Sequence, residues 1–279
     1  MRPEFEFLRK SSFKKLSNGD EGFRLRTVKL RGQISQGVLL PLKILDDVST
    51  SSPPQLGDDV TELLGIQKYE TEPDLGAEHL APFPTFIPKT NAIRVQNVDL
   101  QPFFGTKFHV SEKIDGTSCT VFWDGERFGL CSRNHEIMGG KSPHALWAAT
   151  SGLAERLPAL GRRLAIQGEL LGPKIQHNRY ALKEVNLYVF SIWDMDSNAY
   201  VEDLEPLATE QLGLPTAPVL FGSVELPKCD TDEMLFFAED PSALHPGTER
   251  EGLVWIQGTE WGRVSIKTIS NKFLTKVES

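Results

Sequence analysis

From residue 23 to residue 30 (FRLRTVKL) polar and apolar side chains alternate, the period-two pattern of a half-buried strand, and 37–42 (GVLLPL) reads as a second strand. Arg31, Gly32 and Gln33 between them predict a turn or bulge. A short helix is expected at 58–64, where acidic residues occupy the first turn. The Pro-, Ser- and acid-rich stretches 49–56 and 72–88 read as loops. Beyond residue 98 strands alternate with a few helices. Residues 118–123, then Asp124-Gly125, then 126–132 predict a hairpin, because Asp-Gly suits a tight turn with positive φ. Ser142 as N-cap and Pro143 at the first helical position open a helix, with Leu146, Ala149, Leu153, Leu157 and Leu160 on one core-facing stripe. Apolar strands follow at 164–169, 187–193, 252–256 and 264–267. There is no internal repeat and no coiled-coil heptad.

Composition narrows the class. The chain has 279 residues, 39% of them apolar and 24% charged, enough for one large or two modest cores. No apolar run reaches the roughly 18 residues of a membrane span, and the first fifteen residues lack the apolar centre of a signal peptide. Cys119, Cys131 and Cys229 form no CxxC pair and the histidines form no HExxH. A disulfide scaffold and a structural zinc site are therefore not expected, and an intracellular, reducing location, cytoplasmic or nuclear, is. The net charge of −8 argues mildly against passive coating of nucleic acid. Its distribution weakens that argument: residues 1–31 carry 9 basic and 4 acidic side chains, 32–100 carry 4 and 10, and 101–200 carry 11 and 10. Residues 201–260 carry 2 and 13, and 261–279 carry 4 and 1, so the acidity sits in two blocks that read as solvated surface.

The candidate chemistry begins at Lys113-Ile114-Asp115-Gly116. Alone this is a charged turn. A hairpin centred on Asp124-Gly125 pairs Arg133 near Gly116, however, and so returns a second cation to the same strand end, the makings of a phosphate site. In the same way a turn near 258–261 brings Glu251 and Lys267 to a common end, which by itself could be a surface salt bridge. Between these hairpins Gly168, Glu169 and Gly172 place an acid where glycines allow close backbone approach. Phe190 lies in an apolar strand that on its own reads as core.

In order, Lys113-x-Asp115-Gly116, Arg133, Glu169, Phe190, Glu251-Gly252 and Lys267 resemble motifs I, Ia, III, IIIa, IV and V of the covalent nucleotidyltransferases. The stretches SEKIDGTS, SRN, GELLGP, LYVFSIWD, EGLVWI and SIKTISNKF are most similar to ATP-dependent RNA ligases of the ligase-2 type, in the Deinococcus-type branch with an N-terminal OB module. The resemblance implies an α+β fold, with a partial OB-like module and linker over 1–97 and an adenylyltransferase domain of antiparallel sheets and flanking helices over 98–279. The chain is then expected to hold only the latter strands of the OB module. Motif V departs from the family: it has Lys267 with Ile269 in place of a second lysine, or Ser265 in place of a first, so Lys272 or an upstream cation is expected to stand in.

The resemblance also implies an activity and roles. Lys113 attacks ATP and carries AMP, the AMP passes to an RNA 5′-phosphate, and a 3′-OH displaces it, as in nick sealing and RNA repair. A free lysine titrates near 10.4, so cations beside it, Lys267 and bound Mg²⁺ or Mn²⁺, are expected to destabilise its ammonium. Asp115 positions the nucleophile and Gly116 admits the nucleotide. Glu112 reads the base edge, Arg133 meets ribose or phosphate, Glu169 the ribose hydroxyls and Phe190 the adenine. Glu251 and Glu169 are the metal candidates. Arg94, Gln96, Arg24 and Arg26 are weaker candidates for RNA, expected as a nicked duplex bound by a monomer with no membrane contact. Two alternatives stay open. A DNA ligase or GTP-using capping enzyme is disfavoured because twelve residues follow Lys267, too few for a C-terminal OB domain. A non-catalytic nucleotide- or RNA-binding relative would account for the depleted motif V.

Overall fold

Two large sheets carry most of the chain in a computed structural model that describes residues 3–8, 12–15, 21–25, 27–31, 33–46, 53–67, 79–259 and 262–277. Contacts divide the chain into a unit of Met1–Pro73 with Thr275–Ser279 and a unit of Asp74–Leu274. In the first unit β1 (Phe13–Lys15) pairs with β2 (Glu21–Phe23), and β3 (Val28–Leu30) pairs with β4 (Gln33–Ser35), both antiparallel. The stretch 23–30 is thus not one strand: its two ends have different partners, and the chain bends between them. Leu30 opposite Gln33 closes the expected turn, with Arg31 at φ 50°. Residues 37–41 are irregular and Leu42–Leu45 is a 3₁₀ turn, because Pro41 has no N–H to give a ladder. No helix forms at 58–64; the Asp58 and Asp59 carboxylates accept the backbone N–H groups of Gln55 and Thr61, which favours isolated turns. The loop expected at 49–56 is described from residue 53 on, where it is irregular, and much of 72–88 lies outside the described residues.

In the second unit the smaller sheet has the order β14 (Val219–Glu225), β7 (Lys107–Lys113), β15 (Gly252–Thr259), β16 (Gly262–Ile269) and β6 (Ile93–Arg94). The larger runs β13 (Ala199–Tyr200), β12 (Asn186–Asp194), β11 (Leu164–Leu171), β8 (Thr117–Trp123), β9 (Phe128–Cys131), β10 (His135–Met138) and β5 (His79–Pro82). All these pairings are antiparallel except β16 with β6. Through β5 and β6, residues 79–97, grouped with the front module on sequence grounds, belong to the sheets of this unit.

Alternation gives each sheet two unlike faces. On the larger, Val121, Ile166, Leu170, Leu187 and Ile192 pack beneath the helices α1 (Pro143–Ser151) and α2 (Leu153–Ala159). On the smaller, Phe108, Val110, Leu253, Trp255 and Ile266 pack with Met234 and Leu235 of α3 (Thr231–Phe237). The opposite faces, which carry Glu169 and Lys113, look toward each other. Arg263 of β16 joins them by donating to Ser191 Oγ of β12 at 2.8 Å.

Two expected details shift. Trp123 pairs with Phe128, so the β8–β9 turn has four residues, 124–127, and Asp124 Oδ1 accepts from the N–H groups of Glu126 and Arg127. That register extrapolates to Arg133 opposite Ser118 rather than Gly116. The helix after Ser142 is capped as expected, with Ser142 Oγ accepting from Ala145 N, but Gly152 at φ 69° breaks it. The break changes the buried phase: Leu153 and Leu157 are fully buried, whereas Leu146 is 58% exposed and His144 and Trp147 point inward instead. Accordingly Leu157→Ala should cost about 2–5 kcal/mol in chemical denaturation, and Leu146→Ala less than about 1 kcal/mol. Equal losses would contradict this packing.

Candidate active site

Lys113 ends β7, and its Nζ lies 2.7 Å from Glu251 Oε1. Burial works against the ammonium, but Glu251, Glu169 and Asp115 outweigh it and hold the amine above the usual lysine value. This reverses the expectation that nearby cations depress Lys113. The acids pay for the crowding: burial raises the carboxyls of Glu251 and Asp115, and pushes Glu169 up to about 7 despite Lys113 and Arg133 nearby.

The depressed amine is Lys267. Burial first, then Lys113, Arg133 and Arg94, bring it down to about 8. The sheet explains the grouping. Lys267 lies opposite Val254, which in turn lies opposite Ser111, one step along the same face from Lys113. On its other side the parallel strand sets Arg94 beside it. Arg133 reaches in from beyond β9 and donates to Asn91 Oδ1 at 2.9 Å. Arg133, Asn91, Ser118, Thr120 and Gln167 line a small polar cleft, where Gln167 Nε2 is held by Pro88 O while its buried Oε1 has no protein partner. Like charges gathered in this way, with a polar atom waiting, suit an anionic polar ligand.

Phe190 owes its direction to a bulge. Gln167 pairs with Ser191 and Gly168 with Val189, which leaves Phe190 as the extra residue of β12. The bulge resets the alternation, so that Val189 and Ile192 stay in the core while Phe190, half-buried, joins Ile114, Leu171 and Tyr180 on the other face. Gly116 is needed for closeness: a Cβ there would stand 2.3 Å from Leu171 Cδ2 and 2.7 Å from Leu170 O.

Sequence reasoning missed Arg179 and Tyr180, on the β11–β12 connection. Arg179 Nη1 lies 3.3 Å from Asp115 Oδ2, its Nη2 donates to Glu249 O at 2.7 Å, and its guanidinium stacks 4.5 Å from the centre of the Phe273 ring. Tyr180 Oη accepts from Asp115 N at 2.7 Å. Thus Asp115 is fixed by its own neighbours before any ligand binds. Of the seven non-glycine residues at positive φ among those described, five lie here: Lys174, Gln176, His177, Asn178 and Ala181. Left-handed backbone costs most such residues on the order of 1 kcal/mol each. The only sequence signal was Gly172 followed by Pro173, which marks a turn but not a side-chain target.

Glu112 is not at the site. As Lys113's neighbour on a strand it faces the other way, 1% exposed, with Ser242 Oγ donating to one oxygen at 2.6 Å and Ala243 N to the other at 2.7 Å. Lys272 does not stand in for a motif V lysine either, since its Nζ pairs with Glu239 at 3.2 Å. Gln96 is exposed on a 3₁₀ turn, and Arg24 lies half-buried beside β2, where its N–H donates to Ser12 O. Arg26 and the 260–261 turn lie outside the described residues.

Among the described residues no three His, Cys, Asp or Glu side chains form a protein-only metal cage. Mg²⁺ commonly takes one or two carboxylates and completes its shell with water and substrate phosphate. Glu169 and Glu251, both half-buried and together more than Lys113 neutralises, fit that mode.

The family described as RNA ligase matches residues 106–269, and an OB-fold domain family matches residues 1–42. Solved structures of a Naegleria gruberi RNA ligase are similar over nearly the whole chain. A mutant of it with ATP and Mn is 34% identical, with TM-score 0.83, covering 98% of this chain and 82% of that one. The same ligase with pyrophosphate is 36% identical, with TM-score 0.80, covering 97% and 81%. No match is found among curated proteins.

The raised Glu169 carboxyl makes stability depend on pH. Its unfolded value is near 4.5 and its folded value about 7, so the folded state holds the proton more tightly. This contribution is complete below 4.5 and is lost as pH rises through about 7. The wild-type Tm should therefore fall across that window, and Glu169→Gln should flatten the fall. An unchanged slope would remove Glu169 from the acid cluster.

Proposed function

The chain belongs to the RNA ligase family, and we propose that its two facing sheets hold ATP so that Lys113 takes up AMP and passes it to RNA. The observation that carries this reading is Lys113 paired to Glu251 at 2.7 Å, with Glu169 on one side and Lys267 on the other. The enzyme is an ATP-dependent RNA ligase that uses a divalent metal. Lys113 Nζ attacks the α-phosphorus of ATP and the bond to pyrophosphate breaks, leaving lysyl-AMP. An oxygen of the RNA 5′-phosphate then attacks that phosphorus and frees the lysine. Finally the RNA 3′-OH attacks the activated 5′-phosphorus, forming the phosphodiester and releasing AMP.

In the free protein Lys113 holds its proton tightly, so the first step requires that the surrounding acids stop favouring the ammonium. Glu169 and Glu251 would hold a divalent ion, which would offset their charge and supply positive charge to the polyphosphate. Lys267, Arg94 and Arg133 repel one another until an anion arrives; polyphosphate relieves the repulsion, favours the charged form of Lys267 and is stabilised in turn. Arg94 supplies the second cation that motif V lacks. Phe190 stacks on the adenine, Glu169 also meets the ribose hydroxyls, Asp115 holds the nucleophile's turn, and Gly116 leaves room for the nucleotide. Arg24 and Gln96 are offered as RNA contacts outside the cleft. The substrate is RNA, here taken to be a nicked duplex with 3′-OH and 5′-phosphate ends, bound by a monomer. Among the described residues no helix is long and apolar enough to cross a membrane. Cys119, Cys131 and Cys229 are unpaired, which favours the cytoplasm or nucleus.

Intact mass after incubation with ATP and Mg²⁺ should rise by one AMP, and Lys113→Ala should abolish the gain; a wild-type protein without the gain ends this reading. The rate of lysyl-AMP formation should climb as pH rises through neutrality, because Lys113 must first lose a tightly held proton. Phe190→Ala should raise the KM for ATP at least about five-fold, since base stacking on an aromatic ring contributes about 1–3 kcal/mol. An unaltered KM would place the adenine elsewhere.

A further inference from the structure

The 172–185 connection has two sides, and the catalytic roles above use neither its lysines nor its histidine. Its ends meet: a Cβ on Gly172 would stand 2.5 Å from Glu184 O, so the segment closes on itself as a compact loop. The inner side grips the nucleophile's turn, through Arg179 on Asp115, Tyr180 on Asp115 N–H, and Gln176 Nε2 donating to Gly116 O at 3.4 Å. The outer side carries Lys174, His177 and Lys183, all exposed, and residues 173–183 contain no acid. His177 lies near enough to Asp115 to favour its carboxylate form. His177 therefore stands beside the turn that follows Lys113, and Lys174 and Lys183 are exposed on the same loop.

We propose that this loop is the RNA-docking element of the ligase, with Lys174, His177 and Lys183 taking phosphates of the strand whose end is delivered to Lys113. The inference rests on the RNA ligase reading and adds the surface by which the polyanion is held. Phosphate contacts fix position without reading sequence, and a rigid base makes them precise. Left-handed backbone at Lys174, Gln176, His177, Asn178 and Ala181 gives that base few alternative conformations. The inner hydrogen bonds then keep RNA and nucleophile in one frame, so the strand end arrives at a set place relative to the lysyl-AMP. Arg179 belongs to the frame rather than to the RNA surface, because its Nη1 and Nη2 already bond Asp115, Thr248 and Glu249 and its Nε is buried.

The test separates the nucleotide step from the RNA steps. The full chain is compared with Lys174→Glu/Lys183→Glu and with Lys174→Gly/Lys183→Gln, the second of which removes both charges while relieving the backbone at Lys174. Lysyl-AMP formation from ATP and Mg²⁺ should stay within about two-fold of wild type. Sealing of a 5′-adenylylated RNA strand should fall about ten-fold or more, and its dependence on log salt concentration should become shallower by about 1.5, the loss of two phosphate contacts. Normal sealing with an unchanged salt slope overturns the proposal. So does loss of lysyl-AMP formation in both variants, which would assign the loop to the nucleotide alone. If wild type forms no lysyl-AMP, the RNA ligase reading fails first, and anisotropy with a labelled 5′-phosphorylated RNA decides the loop: weaker binding by the charge-reversed variant supports it, and equal binding overturns it.

Discussion

A half-buried lysine surrounded by more acid than it can neutralise is the constraint around which the second unit is arranged. Lys113 meets Glu251 directly and feels Glu169 and Asp115 as well. A single buried ion pair is seldom a large net stabiliser, because desolvation offsets the attraction. Here the surplus of carboxyls makes the resting site less favourable still, as the elevated Glu169 records. The compensation comes from opposite directions. Arg179 neutralises Asp115 from the β11–β12 loop, and the apolar cluster of Ile114, Leu171, Tyr180 and Ala217 and the Arg263–Ser191 hydrogen bond lie on the facing sides of the sheets. The site is therefore stable because of its surroundings and reactive because of its own imbalance.

Backbone devices at a few positions let the faces come close enough for this. The bulge at Phe190 turns an aromatic ring toward the cleft without exposing Val189 or Ile192. Gly168 sits with its missing Cβ 2.4 Å from Tyr188 O, at the same irregularity, and Gly252 similarly has Thr268 O at 2.0 Å. Any side chain at Gly252 would force apart the hairpin that aligns Glu251 with Lys113. Glycine at these places is a requirement of strand spacing. Arg263, bonded to Ser191 and stacked over the Tyr200 ring at 4.6 Å, ties the two sheets at the level of the bulge.

The sequence made some of this legible and not the rest, for identifiable reasons. The strands bearing Glu169, Phe190 and Lys267 announce themselves by apolar runs, whereas the strand ending at Lys113 (KFHVSEK) has none and only the ordered motifs pick out its lysine. Glu112 was misread although period two alone sends it to the face opposite Lys113. The stripe through Leu146 and Ala149 ignored Gly152, whose left-handed φ ends one helix and rephases the next. In the front unit, short strands and turn-forming aspartates carry too little periodicity to locate pairing. Arg179 and Tyr180 were invisible for a different reason: loop side chains are aimed by long-range packing, and no spacing rule connects residue 179 to residue 115.

The depleted motif V shows how such a site can keep its charge while changing its residues. What the chemistry needs opposite the acids is a group of cations close enough to repel one another, since only then does an incoming polyphosphate release that repulsion as well as form new bonds. A sheet can supply this from any neighbouring strand at the right register. Lys267 has no lysine two residues away on its own strand, but the parallel pairing with β6 sets Arg94 alongside it, and Arg133 approaches from the other sheet. Arginine keeps its charge at any working pH, whereas crowding brings Lys267 down to about 8. On this ground the missing lysine is a redistribution of charge across strands, compatible with the same chemistry.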